Sequence, residues 1–431
     1  MMSGMQSNVL FYTKKSVLVA SFLFGLIGAR QACGMSIDNP FLGPFIDRKL
    51  LLAGPDYRET SLFAMPFMLL ADHSFNQYGE NAPLFGYGDQ PYHLTELDTA
   101  LLRTGRIQNP LIKSEWRGTL SSGAYAMAGT FKAYGCACGA YIQNNEYFGI
   151  GARWAFMQMR SACELRRSEK GFDNVLHGPG DHRELQLLQE KIHAKLGIEP
   201  AIWRRFTVGD VEIFGRLSTR RDYEYLCHYL DAGVALGVVV PTGCKRDINN
   251  PASISGGGDG YWGVFFEANV DAILKPDLRA EFVVRLQQRF ARVDQYRMPA
   301  LNEPIRYGAI VGDASVDPGL TIACTPQVVF EAIRGGLGAR LGYSLVKHFG
   351  DHWGDVRFLR EVPINTDLLY ENSEWGDEHI TCGLLYDFGR VMSASRWGPV
   401  VSLNVDFPIS FAVGERSAKT YGITVGIEAH F

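Results

Sequence analysis

From Thr420 to Phe431 the chain alternates without a break. Tyr421, Ile423, Val425, Ile427, Ala429 and Phe431 are apolar or aromatic, while Thr420, Gly422, Thr424, Gly426, Glu428 and His430 are small or polar. Successive side chains of a strand point to opposite faces, so this segment presents one oily face and one wet face. The stretch before it repeats the pattern, with Val401, Leu403, Val405, Phe407 and Ile409 set against Ser402, Asn404, Asp406 and Ser410. Each is close to the roughly 9–11 residues that cross a bilayer as a tilted strand.

The alternation returns along the chain near 380–388, 337–345, 320–331, 278–287 and 262–271. Weaker versions run through 230–240, 211–219 and 148–156, and less regular segments at 124–141 and 60–71 complete about twelve strands. Short connections follow 143, 222, 275, 334 and 389, and long ones occupy about 72–116, 161–208, 241–259, 293–317 and 350–375. Short and long alternate along the chain, as in transmembrane barrels with short turns at one rim and long loops at the other. Sandwiches and jelly rolls have no reason to sort their loops this way. Turn lengths agree with the faces. Lys275–Pro276–Asp277 keeps even-numbered residues outward on both flanking strands, and the turn at Arg334–Gly335 switches them from even to odd. The expected fold is therefore all-β, an antiparallel transmembrane barrel spanning 58–431.

Composition is compatible with this. The 47 glycines and 12% aromatic residues suit a strand-rich chain with many turns, and a net charge of −4 gives no basic balance for nucleic acid. Lys14 and Lys15 precede an apolar stretch from Ser16 to Ala29 and small residues near Cys33, which is the layout of a secretory signal over 1–34. Arg30 stands where a lipidated Cys33 would want an apolar residue. Residues 35–57 would form a periplasmic segment or a plug.

The sequence resembles Gram-negative outer-membrane β-barrels, porin-like, with no subfamily assigned. The motif-like part is the terminal strand, at Tyr421, Gly422, Val425, Ile427 and Phe431. The resemblance implies an outer-membrane location after signal cleavage. It also implies recognition of that strand by the barrel-assembly machinery, escort by periplasmic chaperones, contact with outer-membrane lipid, and passive passage of small solutes.

Inward-facing charges are the functional candidates: Arg153, Asp210, Glu212, Arg216, Glu267, Asp271, Arg279, Glu281, Arg285, Glu331, Arg340, Asp387, Asp406 and Glu428. The turn at 275–277 sets Glu267 opposite Arg285 and Asp271 diagonal to Arg279, where opposite charges attract. Two readings stay open, a charged eyelet that selects solutes and a lumen filled by its own ion pairs beneath partner-binding loops. A barrel hydrolase is the third class. Ser344, His379 and Asp387 could all face inward, but no Gly-x-Ser-x-Gly motif is present.

Other signals have plainer readings. Gly336, Gly338 and Gly342 leave room on an inward face, and Gly256–Gly260 reads as a flexible external loop. His348 and His352 are spaced for a metal only on a helix, so no metal or cofactor is expected. Cys136, Cys138, Cys324 and Cys382 fall on outward faces, whereas Cys163 and Cys244 begin successive external loops and could form a disulfide. Within 161–208, Asp181 can cap a helix whose stripe is Leu185, Leu188, Ile192 and Leu196, ended by Gly197. That helix would gate the mouth or pack on neighbouring loops.

Overall fold

A computed structural model describes residues 39–42, 60–86, 94–111, 125–143, 147–167, 182–222, 227–275, 277–300, 303, 307–391 and 399–430. The signal segment, Cys33, Asp181 and Phe431 lie outside the described residues. Twelve antiparallel strands close into one barrel: β1 (Thr60–Ala71), β2 (Tyr125–Gln143), β3 (Phe148–Arg167), β4 (Val211–Asp222), β5 (Tyr229–Val240), β6 (Gly263–Lys275), β7 (Leu278–Arg289), β8 (Thr321–Arg334), β9 (Leu337–His348), β10 (Trp375–Asp387), β11 (Val400–Ile409) and β12 (Tyr421–His430). Each strand pairs with its chain neighbours, and closure comes from β1, which pairs with β2 on one side and β12 on the other. Leu70 stands opposite Tyr421, and Ser61 opposite His430. No edge strand is left to the barrel, so its ladder groups are satisfied without water.

The faces follow the expected parity. In β12, Tyr421, Ile423, Val425 and Ile427 are exposed on the outer wall, while Gly422, Thr424 and Glu428 are buried within. Even-numbered residues point out on both β6 and β7, and the outward row changes from even on β8 to odd on β9. The turn that makes this change is Gly335–Gly336, both at positive φ (49° and 86°), between the paired Arg334 and Leu337. Gly336 thus belongs to the turn rather than to the inward face, where Gly338 and Gly342 do lie. Two consecutive left-handed residues give a hairpin turn whose twist matches its strands, and glycine adopts them without strain.

The long-loop side is more built than expected. β2 and β3 run 19 and 20 residues, beyond the length of a membrane-crossing strand. Ile202–Val208, the thirteenth strand of the sheet, pairs with the upper half of β3, while β4 pairs with the lower half. The register changes by one residue between them, at Gly209–Asp210, which is a β-bulge. The segment 161–208 is therefore strand at both ends. Helix α1 (Leu94–Arg103) belongs to the first long loop. Helix α2 (His182–Leu196) buries the expected stripe of Leu185, Leu188, Ile192 and Leu196 in the upper apolar cluster. Its Gln189 side chain accepts from Leu165 N–H at 3.1 Å and donates to Tyr307 Oη at 3.0 Å. This ties α2 to the wall and to the loop between β7 and β8, which is the packing role rather than a free gate. Residues 292–298, 310–317 and 352–355 form a small sheet over the mouth, flanked by α3 (Thr366–Ser373).

Asn39–Leu42 enters the same upper cluster. Phe41 packs on Phe85 and on inward Phe131 of β2 with ring centroids 5.6 and 5.8 Å apart, and Leu42 is fully buried. These four residues occupy the inside at the long-loop end. The rest of the segment 35–57, expected as a periplasmic segment or plug, lies outside the described residues.

Leu403 on the outer wall and Ser402 on the inner wall provide a test of the faces. Leu403→Arg is expected to lower folding stability in lipid vesicles by about 2–4 kcal/mol. Urea titration of refolding should show a clearly smaller loss for Ser402→Asn.

Candidate functional site in the barrel lumen

All fourteen charged positions expected on the inner wall are there, and all but Arg153 are fully buried; the Arg153 side chain is 12% exposed. In mid-lumen, Arg285 of β7 donates two parallel hydrogen bonds to Glu212 of β4, at 2.9 and 2.7 Å. Arg153 of β3 donates two to Glu267 of β6, at 3.2 Å each. The remaining pairings of this quartet are longer, Arg153–Glu212 at 3.7 Å and Arg285–Glu267 at 3.8 Å. Glu267 does stand opposite Arg285 in the register, as expected. Its two-pronged partner is nevertheless Arg153, three strands away. The reach is possible because β5 between them presents Ala235 and Gly237 inward, which leaves space for long side chains.

Aromatic rings carry the two guanidiniums. Arg153 lies 4.4 Å over the Phe214 ring and Arg285 lies 3.9 Å over Phe265. Each ring lies against an inward glycine. A Cβ on Gly151 would meet Phe214 Cζ at 2.3 Å, and one on Gly237 would meet Phe265 Cε1 at 2.4 Å. The ring quadrupole attracts a desolvated cation, so the layer is glycine, ring, guanidinium and carboxylate in sequence. The glycine–phenylalanine matches were present in the sequence, but only the register brings them together.

Towards the short-turn rim the balance is acidic. Among the described side chains that are buried within four residues of the strand ends, Asp231, Asp271, Glu281, Glu331, Asp387 and Glu428 stand against Arg279 and Arg340, while Arg221, Lys275 and Arg334 are exposed there. Arg279 holds Asp271 at 2.8 Å, on the diagonal expected, and sits 3.6 Å from Glu281 and 3.8 Å from Glu331. Arg216 reaches Asp231 at 3.4 Å, and Asp406 accepts from Thr381 Oγ1 at 2.6 Å.

At the long-loop end, Asp210 projects from the bulge and accepts from Arg289 Nη2 at 2.7 Å. It also accepts from the backbone N–H of Gly243 at 3.1 Å and of Gly258 at 2.9 Å. A Cβ on Gly257 would lie 2.6 Å from Asp210 Cγ, and one on Gly258 would lie 2.2 Å from Arg289 Cζ. The glycine run is therefore not a loose loop; its lack of side chains lets the backbone settle onto this ion pair. Arg289 and Asp231 were absent from the sequence-derived set, although both fall on inward rows that parity alone would have supplied.

Cys163 and Cys244 are both free thiols, so the bridge is not formed. Cys163 is packed in the cluster under α2, and the Cys244 backbone N–H is held by Thr207 Oγ1 at 3.1 Å. Cys136 and Cys138 point outward with their sulfurs 3.6 Å apart. Ser344 and His379 do stand opposite each other. His379 Nε2 bonds the Thr420 carbonyl at 2.8 Å and its Nδ1 lies 3.5 Å from Asp377, whereas Asp387 accepts from Gly389 N–H at the far end of the strand. The nucleophile, base and acid do not converge. His348 bonds Thr321 and Asp351 while His352 packs on Tyr370, so the two histidines serve different neighbours.

The chain is thus a closed, twelve-stranded antiparallel β-barrel of the outer-membrane type, apolar outside and charged within. No family model matches it, and no curated protein does. Among solved structures it is similar to an outer membrane channel from Pseudomonas putida F1, at 10% identity and TM-score 0.47, covering 88% of this chain and 100% of that one. It is also similar to the translocator domain of the autotransporter NalP from Neisseria meningitidis, at 8% identity and TM-score 0.33, covering 88% and 91%. A third is a mutant of the monoaromatic hydrocarbon channel TodX, at 10% identity and TM-score 0.33, covering 87% and 90%. Likeness this distant says nothing of function, and the barrel stands on its own strand pairing.

Removing one partner of the quartet leaves a buried charge uncompensated, while removing both does not. Arg285→Met is expected to cost about 3–5 kcal/mol of barrel stability, and Arg285→Met with Glu212→Leu to regain most of it. Equal losses in the single and double variants, measured by denaturant titration, would show that the pair is not coupled.

Proposed function

We propose that the protein is a porin-like channel of the Gram-negative outer membrane that passes small solutes by diffusion, closed in the state described. One observation carries this reading: the inner wall is lined with charge from rim to rim, in an acidic tier, a balanced quartet and the Asp210–Arg289 pair. Folding alone does not require such an interior, because buried ion pairs replaced by well-packed apolar groups often leave stability unchanged or raised. A charged, hydrogen-bonding wall lowers the cost of bringing a hydrated solute through. Conduction would need the quartet to part, exchanging protein partners for water and solute.

The apolar outer wall supports contact with membrane lipid, and the alternating terminal strand supports recognition by the assembly machinery after chaperone escort. Passage would be passive and non-enzymatic. A second reading is favoured by the burial of the quartet and by the packing at 39–42, namely a sealed barrel whose built-up loops bind partners.

Planar-bilayer recording of the refolded protein separates the two. Discrete conductance steps are expected, with small occupancy of the open level, and no resolvable current at any voltage would leave the sealed barrel. Replacing Arg279 and Arg285 together by neutral residues should shift reversal potentials towards cations. Unchanged selectivity would remove both from the ion path.

A further inference from the structure

Above Arg289, the loops at the long-loop end enclose a cavity of about 210 Å³. Its walls include four rings, Tyr261, Tyr296, Trp353 and Trp375, and the guanidinium-bearing Arg246. That size is below the usual range for drug-like ligands and suits a single-ring molecule. The polar groups around it are unevenly committed. Arg289 is taken up by Asp210 and the Tyr261 carbonyl, and Arg297 by the carbonyls of Ile248 and Gly308. Of the two carboxylates on the wall, Asp259 accepts from the Arg246 backbone N–H at 2.6 Å. Asp351 is bound by Gly319 N–H and His348.

What remains uncommitted is a set of donors. Among the described residues, the Arg246 guanidinium on the cavity wall has no ion-pair partner, whereas the Trp353 indole N–H is sealed within the wall. Tyr261 and Tyr296 share one hydroxyl–hydroxyl bond, so whichever accepts keeps its own hydrogen to offer. Burial raises both phenols above their ordinary value, which keeps both hydroxyls protonated. Tyr296 and Trp353 meet edge to face with centroids 5.1 Å apart. Two unspent donors, the Arg246 guanidinium and one phenol hydroxyl, beside aromatic rings call for a ligand that carries acceptors and is flat enough to lie on a ring. An apolar ring alone would leave the donors buried and unpaired. Two aspartates on the wall are matched by Arg246 and Arg297, Arg289 being paired with Asp210, so a negative ligand is drawn by Arg246 at close range rather than by net charge.

We infer that this cavity binds a small single-ring carboxylate, the ring against the Tyr296–Trp353 pair and the carboxylate on Arg246 and the spare phenol hydrogen. The site rests on the channel reading for its place as an outer station of the pathway, though binding itself does not depend on conduction.

Benzoate titrated against the refolded full chain in detergent, followed by tryptophan fluorescence, tests this. Saturable quenching is expected, with benzyl alcohol binding at least about tenfold more weakly because it lacks the charge. Arg246→Ala should weaken benzoate about tenfold or more, and Trp353→Ala, which removes a ring of the Tyr296–Trp353 pair, several-fold. Arg246 is half-buried and unpaired, so its variant should fold; heat-modifiable gel mobility checks that. Failure of benzoate to saturate would overturn the site, as would equal binding of benzyl alcohol or an unchanged affinity in folded Arg246→Ala. Such a failure with conductance intact strikes the site alone, whereas benzoate binding without any current strikes the channel reading alone.

Discussion

Everything in this molecule follows from the pairing of β1 with β12. A sheet that closes on itself leaves no row of unsatisfied amides, and only then can its outer wall be left entirely to apolar side chains. Closure also forces the other half of the alternation into a confined space. A residue such as Glu428, unremarkable on an open sheet, becomes part of a crowded interior once Val400 and Phe63 are its strand neighbours. The inward side chains must then find partners among themselves.

In mid-lumen they do so across the barrel, and nearer the short-turn rim between neighbouring strands. The quartet uses Arg–carboxylate forks that skip neighbouring strands, because small residues on β5 leave the middle open and rings support the cations. The charge is not evenly distributed along the axis. Among the buried side chains acidic groups outnumber basic ones near the short-turn rim, while the quartet and the Asp210–Arg289 pair above it are balanced.

Strand number, face parity and the sorting of loops were legible in the sequence, because a period of two leaves a mark at every position of every strand. Inward charges could be read for the same reason. Which charge meets which could not, since cross-lumen partners depend on the size of the residues between them, as Ala235 and Gly237 show. The upper storey was the least legible. The extension of β3 is irregular in polarity because α2 packs on it, and that of β2 because Phe41 and Phe85 do, and the glycine run at 256–260 gave no hint of the Asp210–Arg289 pair beneath it. The path of Asn39–Leu42 left no periodic trace at all.

The bulge at Gly209–Asp210 has a consequence for how this wall can vary. Below it, odd positions of β4 such as Ile213 and Leu217 face outward; above it, even positions such as Ile202 and Phe206 do. One inserted residue thus acts as a phase break between two reading frames on a single length of chain. The lower frame answers to the apolar outer wall and the charged interior, and the upper frame to loops and helix. Substitutions in either can accumulate under their own rules, so the mouth of the barrel can be remodelled without renegotiating the wall that holds it in place.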